Sequence, residues 1–182
     1  MEKKWYIAIT LWLAWTILYC LVNVFVHDSA FYSYETVLDS WFPFIPFFSL
    51  VYILMYFVIW FPIFELKDMK AYVYGFVSVI AFTLPFFLFF PSEIVRPEFV
   101  VTGFFTWLMN VLYTADFPHN LFPSTHVSLV MFSALVYNKK WYYAVFVLIA
   151  LSTLFTKQHF VLDVMLGLIV GTFGYLVYEK FK

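Results

Sequence analysis

The stretch FPSTHVSLVMFSALVYNKK, from Phe122 to Lys140, decides how this chain folds. It opens on Pro123, Ser124 and His126, runs without a charge from Val127 to Asn138, and closes on a lysine pair. A charge-free apolar run that ends in Lys-Lys reads as a membrane-crossing helix whose basic end faces the cytoplasm. Its other end then holds Ser124 and His126 at the outer surface.

The same pattern repeats outward from this stretch. Lys3/Lys4, Lys67/Lys70, Lys139/Lys140 and Lys180/Lys182 all bound long apolar segments. Six spans satisfy them: residues 5–26, 47–64, 71–90, 121–138, 141–156 and 160–178. All four lysine pairs and both termini then lie in the cytoplasm. The loops 27–46, 91–120 and 156–159 face outward, and Arg96 and Lys157 fall on that side. The chain is read as one transmembrane domain, 1–182: an all-α six-helix bundle with short interfacial helices in its outer loops.

Composition excludes most other classes. Of the 182 residues 65% are hydrophobic and 12% charged, and the mean hydropathy is +0.91. A soluble domain of this size cannot hide so much apolar surface. A net charge of −1 with no basic patch gives nucleic acid nothing to bind. Cys20 is the single cysteine, so no internal disulfide forms. The opening segment is too long for a signal-peptide core and is read as a retained first span.

Two lengths matter for the site. Residues 98–114 resemble a seventh span, but ~1.5 Å per residue gives only ~25 Å, and a crossing there would put Lys139/Lys140 outside. An interfacial or re-entrant helix fits better. The second is 126–137, which covers ~18 Å against a ~30 Å hydrocarbon core. Either that helix begins near Leu121, or His126 lies below the membrane surface. Residues 29–45, with Glu35 and Asp39 among aromatics, read equally as a connecting loop and as a cover over a lipid access route.

Three polar clusters share the outward face. His159 and Asp163 stand at i and i+4, on one helical face. A carboxylate there fixes an imidazole tautomer and leaves the other nitrogen free as nucleophile or base; such a pair also serves simply to hold two helices. Ser124 caps a helix whose first turn contains Thr125 and His126, and a helix N-terminus attracts phosphate; an ordinary capped helix has the same signature. Arg96 offers a planar fork for phosphate, and Lys157 a second cation; alone, each equally reads as a lipid-headgroup contact. Together they describe an anion site where one histidine attacks phosphorus and the other protonates the leaving oxygen. Zinc on two His and one or two Asp is the rival, disfavoured by the nearby Arg96 and Lys157 and by the lack of a Cys or H-E-x-x-H pattern. Ser152, Asn120 and Asp116 are possible accessory residues.

These residues resemble the type-2 phosphatidic acid phosphatase superfamily. The matching parts are Arg96-Pro97, Pro123-Ser124-Thr125-His126, and Ser152 followed by His159 and Asp163, across about residues 71–178. The resemblance implies that His159 is a nucleophile forming a phospho-histidine and that Asp163 orients it. It implies that His126 is the general acid and that Arg96, Ser124 and nearby amides hold phosphate, without metal or cofactor. The pattern departs at three positions. Phe89 and Thr153 stand where the superfamily has a lysine and an arginine, and Thr125 stands for glycine; Lys157 is positioned to replace one lost cation. The stretch from Asp116 to His126 looks more like the branch that includes inositol-phosphorylceramide-synthase-like proteins, which transfers a phospho-headgroup between lipids. The expectation is therefore a lipid phosphatase acting on the extracytoplasmic face. Headgroup transfer is the first alternative, and a non-catalytic lipid-binding or transport protein the second. The implied partners are a lipid phosphate and the surrounding membrane lipids.

Overall fold

The computed structural model describes residues 2–26 and 29–182, with the side chains of Glu2 and Lys3 outside the description. The side chain of Lys3, in the first basic pair, and the first two residues of the 27–46 loop therefore lie outside the description. Among the described residues the secondary structure is helical, with two isolated β-bridges and no strand. The helices are α1 (Glu2–Phe25), α2 (Phe48–Val58), α3 (Phe61–Glu65), α4 (Met69–Phe89), α5 (Phe104–Ala115), α6 (Thr125–Tyr137), α7 (Lys140–Phe155) and α8 (Val161–Phe181). Four segments are long and apolar enough to cross a membrane: Lys4–Phe25, Phe48–Glu65, Met69–Phe89 and Val161–Phe181. The helices α6 and α7 are apolar but shorter.

The break between α2 and α3 has a local cause. Pro62 has no N–H, so the carbonyl four residues back, Val58, loses its helical donor. Ile63 N–H turns to Trp60 instead, which releases the carbonyl of Ile59. In an apolar interior such carbonyls need new partners. The Tyr142 hydroxyl donates to Val58 at 2.6 Å, and Tyr72 and Ser133 donate to Ile59 at 2.8 and 2.9 Å. Three helices, α4, α6 and α7, are thus tied to one proline-induced gap.

The short helix α6 sits at the centre. Val127, Val130, Phe132 and Ala134 are fully buried, packed by α4, α7 and α8. At ~1.5 Å per residue its 13 residues reach ~20 Å. It begins at Thr125, not near Leu121, so His126 lies inside the bundle, at the end opposite the lysine pair Lys139/Lys140. The helix α8 approaches it closely at Gly167 and Gly171; a Cβ at Gly167 would stand 2.9 Å from the Ser124 carbonyl oxygen. Small residues four apart permit such backbone contact.

The two ends of the molecule differ in chemistry. At one end Lys4 donates to the carbonyls of Phe64 and Leu66, Lys139 pairs with Glu65 at 3.3 Å, and Lys67, Lys70 and Lys182 line one shallow cavity. At the other end the connecting loops are stitched together. The Tyr32 amide donates to Pro91, Glu93 to Tyr32, Ile94 to Pro118 and Asn120 to Ser92. The helix α5 packs on α2 through Met109 and Leu112. Its 12 residues reach only ~18 Å, too short to cross.

Candidate functional site

Two helix starts build the site. Ser124 accepts from the Val127 amide through its side chain at 3.2 Å and so begins α6, placing His126 in the first turn. Phe160 precedes α8, and Asp163 reaches back to accept from the Phe160 amide at 2.8 Å. The Ser124 amide donates to the Asp163 carbonyl at 3.0 Å, which locks the two starts together. With Gly167 beneath them, the two first turns have nowhere to separate.

This brings the histidines into contact. Nδ1 of His126 lies 3.1 Å from Nε2 of His159, and Nδ1 of His159 lies 3.4 Å from Oδ2 of Asp163. His159 and Asp163 are both buried. His159 itself sits in a tight turn after α7, its amide and that of Gln158 both donating to the Thr153 carbonyl. Lys157 takes the left-handed conformation that reverses the chain there, at φ 51°.

His159 lies between two cavities. The inner one, about 290 Å³, runs between α1, α2, α5 and α6, and is walled by Trp12, Trp15, Met55 and Leu129 with His126 and His159 at its polar end. Thr125, Asn120 and Asp116 line it too. The outer one, about 230 Å³, is lined by Arg96, Lys157, Glu35, Asp39 and the other side of His159. Thr125 Oγ1 and Asn120 Oδ1 are buried without hydrogen-bond partners among the described residues.

The cations are engaged. Arg96 donates through Nη1 to the carbonyls of Tyr113 and Asp116, both at 2.9 Å. Through Nη2 it donates to the Phe117 carbonyl at 3.1 Å and to Oε1 of Gln158 at 2.7 Å. The guanidinium also lies over the Tyr113 ring, and its Nε has no partner. Lys157 donates to the Asp39 carbonyl at 3.0 Å. Asp116 accepts from the Tyr19 hydroxyl at 3.0 Å. Burial pushes its carboxyl above the usual range, against the pull of Arg96.

The structure therefore gathers His126, His159, Thr125, Asn120 and Asp116 around the inner cavity, with Asp163 buried behind His159, and Arg96 and Lys157 around the outer one. Ser124 is fully buried beneath them as a helix cap. Ser152 is not brought to the site; its hydroxyl donates to Ile149 within α7 and it lines neither cavity. Among the described residues no group of three His, Cys, Asp or Glu converges as metal donors.

Several residues here were not singled out from sequence. Tyr52 and Tyr56 of α2 reach His126: the Tyr52 hydroxyl is 3.2 Å from Nδ1 and 3.3 Å from Nε2, and the Tyr56 hydroxyl is 3.5 Å from Nε2. Two tyrosines four apart in an otherwise apolar span were a readable signal. Asp39 accepts from the Val161 and Thr36 amides, both at 2.7 Å, and pins the outer loop to the start of α8. Ser92 accepts from the Leu121 and Phe122 amides and sets the approach to α6. Comparison with known proteins finds no matching family model, no matching curated protein and no matching solved structure.

Proposed function

We propose that this chain is a six-span membrane lipid phosphatase, working by a phospho-histidine at the outer end of the bundle with both termini in the cytoplasm. The observation that carries the reading is the Asp163–His159–His126 series beside a cavity walled by apolar side chains. A lipid chain fits the apolar part while its phosphate meets the histidines.

In the proposed reaction the lone pair on His159 Nε2 forms the N–P bond as the ester P–O bond breaks. The bonding pair leaves with the lipid oxygen, which takes a proton from cationic His126; a phosphate dianion beside the ring favours that cation. Water then attacks phosphorus, His126 removes its proton, and the N–P pair returns to Nε2. Asp163 holds the His159 ring and offsets its charge, the role of an orienting carboxylate.

The geometry sets a condition on this reading. An attacking atom sits about 3–3.5 Å from its target, and a general acid about 2.6–3.2 Å from the atom it protonates, on the opposite side of phosphorus. Nitrogens 3.1 Å apart leave no room between them, so the rings must part as phosphate enters. Arg96 in turn must exchange Gln158 or a carbonyl for phosphate, or use its unpartnered Nε.

One observation favours headgroup transfer as a second reading. His159 lines both cavities, so an acceptor alcohol has an approach separate from the donor lipid. The engaged state of Arg96 and Lys157 favours the third, a non-catalytic phospholipid-binding protein. Purified protein presented with phosphatidic acid, a prenyl diphosphate and a phosphodiester lipid separates them. Phosphate release supports hydrolysis, a new phospholipid without release supports transfer, and neither product from any substrate rejects catalysis.

A further inference from the structure

We infer that Tyr52, assisted by Tyr56, is a positioning partner of His126. In the resting protein it keeps Nδ1 the proton-bearing nitrogen that faces His159. The inference rests on the phosphatase reading above for its catalytic meaning, but its structural content stands on the contacts alone.

Ring protons follow from the partners, since they are assigned through the hydrogen-bond network. Nδ1 of His159 faces the Asp163 carboxylate, which only accepts; that nitrogen carries the hydrogen. Nε2 of His159 is then bare, and it lies 3.1 Å from Nδ1 of His126. Two bare nitrogens at that distance repel, so His126 carries its hydrogen on Nδ1. The Tyr52 hydroxyl stands 3.2 Å from Nδ1 and 3.3 Å from Nε2; with the Nδ1 hydrogen directed at His159, its O–H turns to the bare Nε2, where Tyr56 also stands at 3.5 Å.

The choice of a hydroxyl is the informative part. In the resting neutral ring Nε2 needs a donor; in the imidazolium, and in the ring left once Nδ1 has given up its proton, it needs an acceptor. A carboxylate or carbonyl serves only the second state and an amide N–H only the first, whereas a phenol serves both by rotating its O–H. Tyr52 is fully buried, so no solvent replaces it. The pair lets His126 gain and lose a proton without leaving a buried nitrogen unsatisfied in either state. The proton given to the leaving oxygen is the one on Nδ1, and the tyrosines remain protonated throughout. At rest the same Nδ1–H covers the lone pair of His159, and phosphate uncovers it when the rings part.

The test uses full-length protein labelled with ¹⁵N-histidine in lipid nanodiscs. His126 is identified by the signal lost in His126→Gln. We expect the Nδ1–H tautomer in the wild type and a mixture with the Nε2–H tautomer in the Tyr52→Phe/Tyr56→Phe double variant. Tyr52→Phe alone gives a smaller change. In turnover, the double variant loses kcat on the order of 10- to 100-fold with KM unchanged. A wild-type ring protonated on Nε2 would overturn the inference even if the variants failed to fold. So would a double variant with unaltered tautomer, or one whose loss lay wholly in KM. Expected tautomers in a wild type that processes no lipid phosphate would reject the phosphatase reading and leave the Tyr–His pairing intact.

Discussion

Replacing Gly167 with alanine tests the contact on which the site is built. The added Cβ would stand 2.9 Å from the Ser124 carbonyl oxygen and 3.1 Å from Val127 Cβ, whereas ordinary contact begins at 3.4 Å. The obstruction is backbone, so α8 must move about 0.5 Å away from α6. Overpacking of this kind costs about 1–3 kcal/mol, and the better helix propensity of alanine offsets up to about 1 kcal/mol. A net loss of about 1–2 kcal/mol lowers the melting midpoint by roughly 2–8 °C for a chain of this size. The displaced segment carries Asp163 one turn away, and its partner carries His126. If a 1 Å misplacement costs ~10²-fold in rate, about half that distance costs roughly tenfold. The assay is thermal unfolding in detergent together with phosphate release. Gly103→Ala is the control, because nothing lies within 4 Å of its added Cβ and its extended φ of −173° suits any residue. Gly167→Ala as stable and active as Gly103→Ala would refute the close packing of α6 on α8.

Four other substitutions probe separate parts of the account. Asp163→Asn keeps an oxygen for the Phe160 amide but removes the charge beside His159; turnover falls by up to ~10⁴, as for an orienting carboxylate elsewhere, measured as kcat on a lipid phosphate. Tyr142→Phe strands the Val58 carbonyl at the Pro62 break, costing about 1–3 kcal/mol, read from the thermal midpoint. Ser133→Ala loses less, because Tyr72 still serves Ile59. Asp116 is pushed upward by burial, so its folded form prefers the proton. Its stabilising contribution is present below the usual carboxylate pKa of about 3.9 and is lost as pH rises through the raised folded value. Asp116→Asn is therefore more stable than wild type at neutral pH, with the gap closing in acid; unfolding curves across that range decide.

The broad layout was legible because it is written in composition. Apolar runs bounded by lysines gave the segments that become α1, α4 and α8, and the too-short 98–114 segment gave α5, which packs against α2. The polar clusters were legible as chemistry-bearing residue types at helical spacing, as with His159 and Asp163. Tertiary facts were not. The start of α6 at Thr125 depends on Ser92 holding the preceding loop, and Ser92 is unremarkable in sequence. The engagement of Arg96 depends on three carbonyls brought together by the turn after α5, which no residue type announces. The Gly167 and Gly171 spacing was present in the sequence, yet its meaning comes only from the helix that faces it.

The central claim is that His159 carries the phosphoryl group. Protein mixed with phosphatidic acid, quenched in alkali to preserve a phosphoramidate and digested for mass spectrometry, tests it most directly. The account predicts a phosphoryl adduct on the peptide containing His159, lost in His159→Ala. Steady release of phosphate with the adduct on another residue, or with none at all, contradicts it.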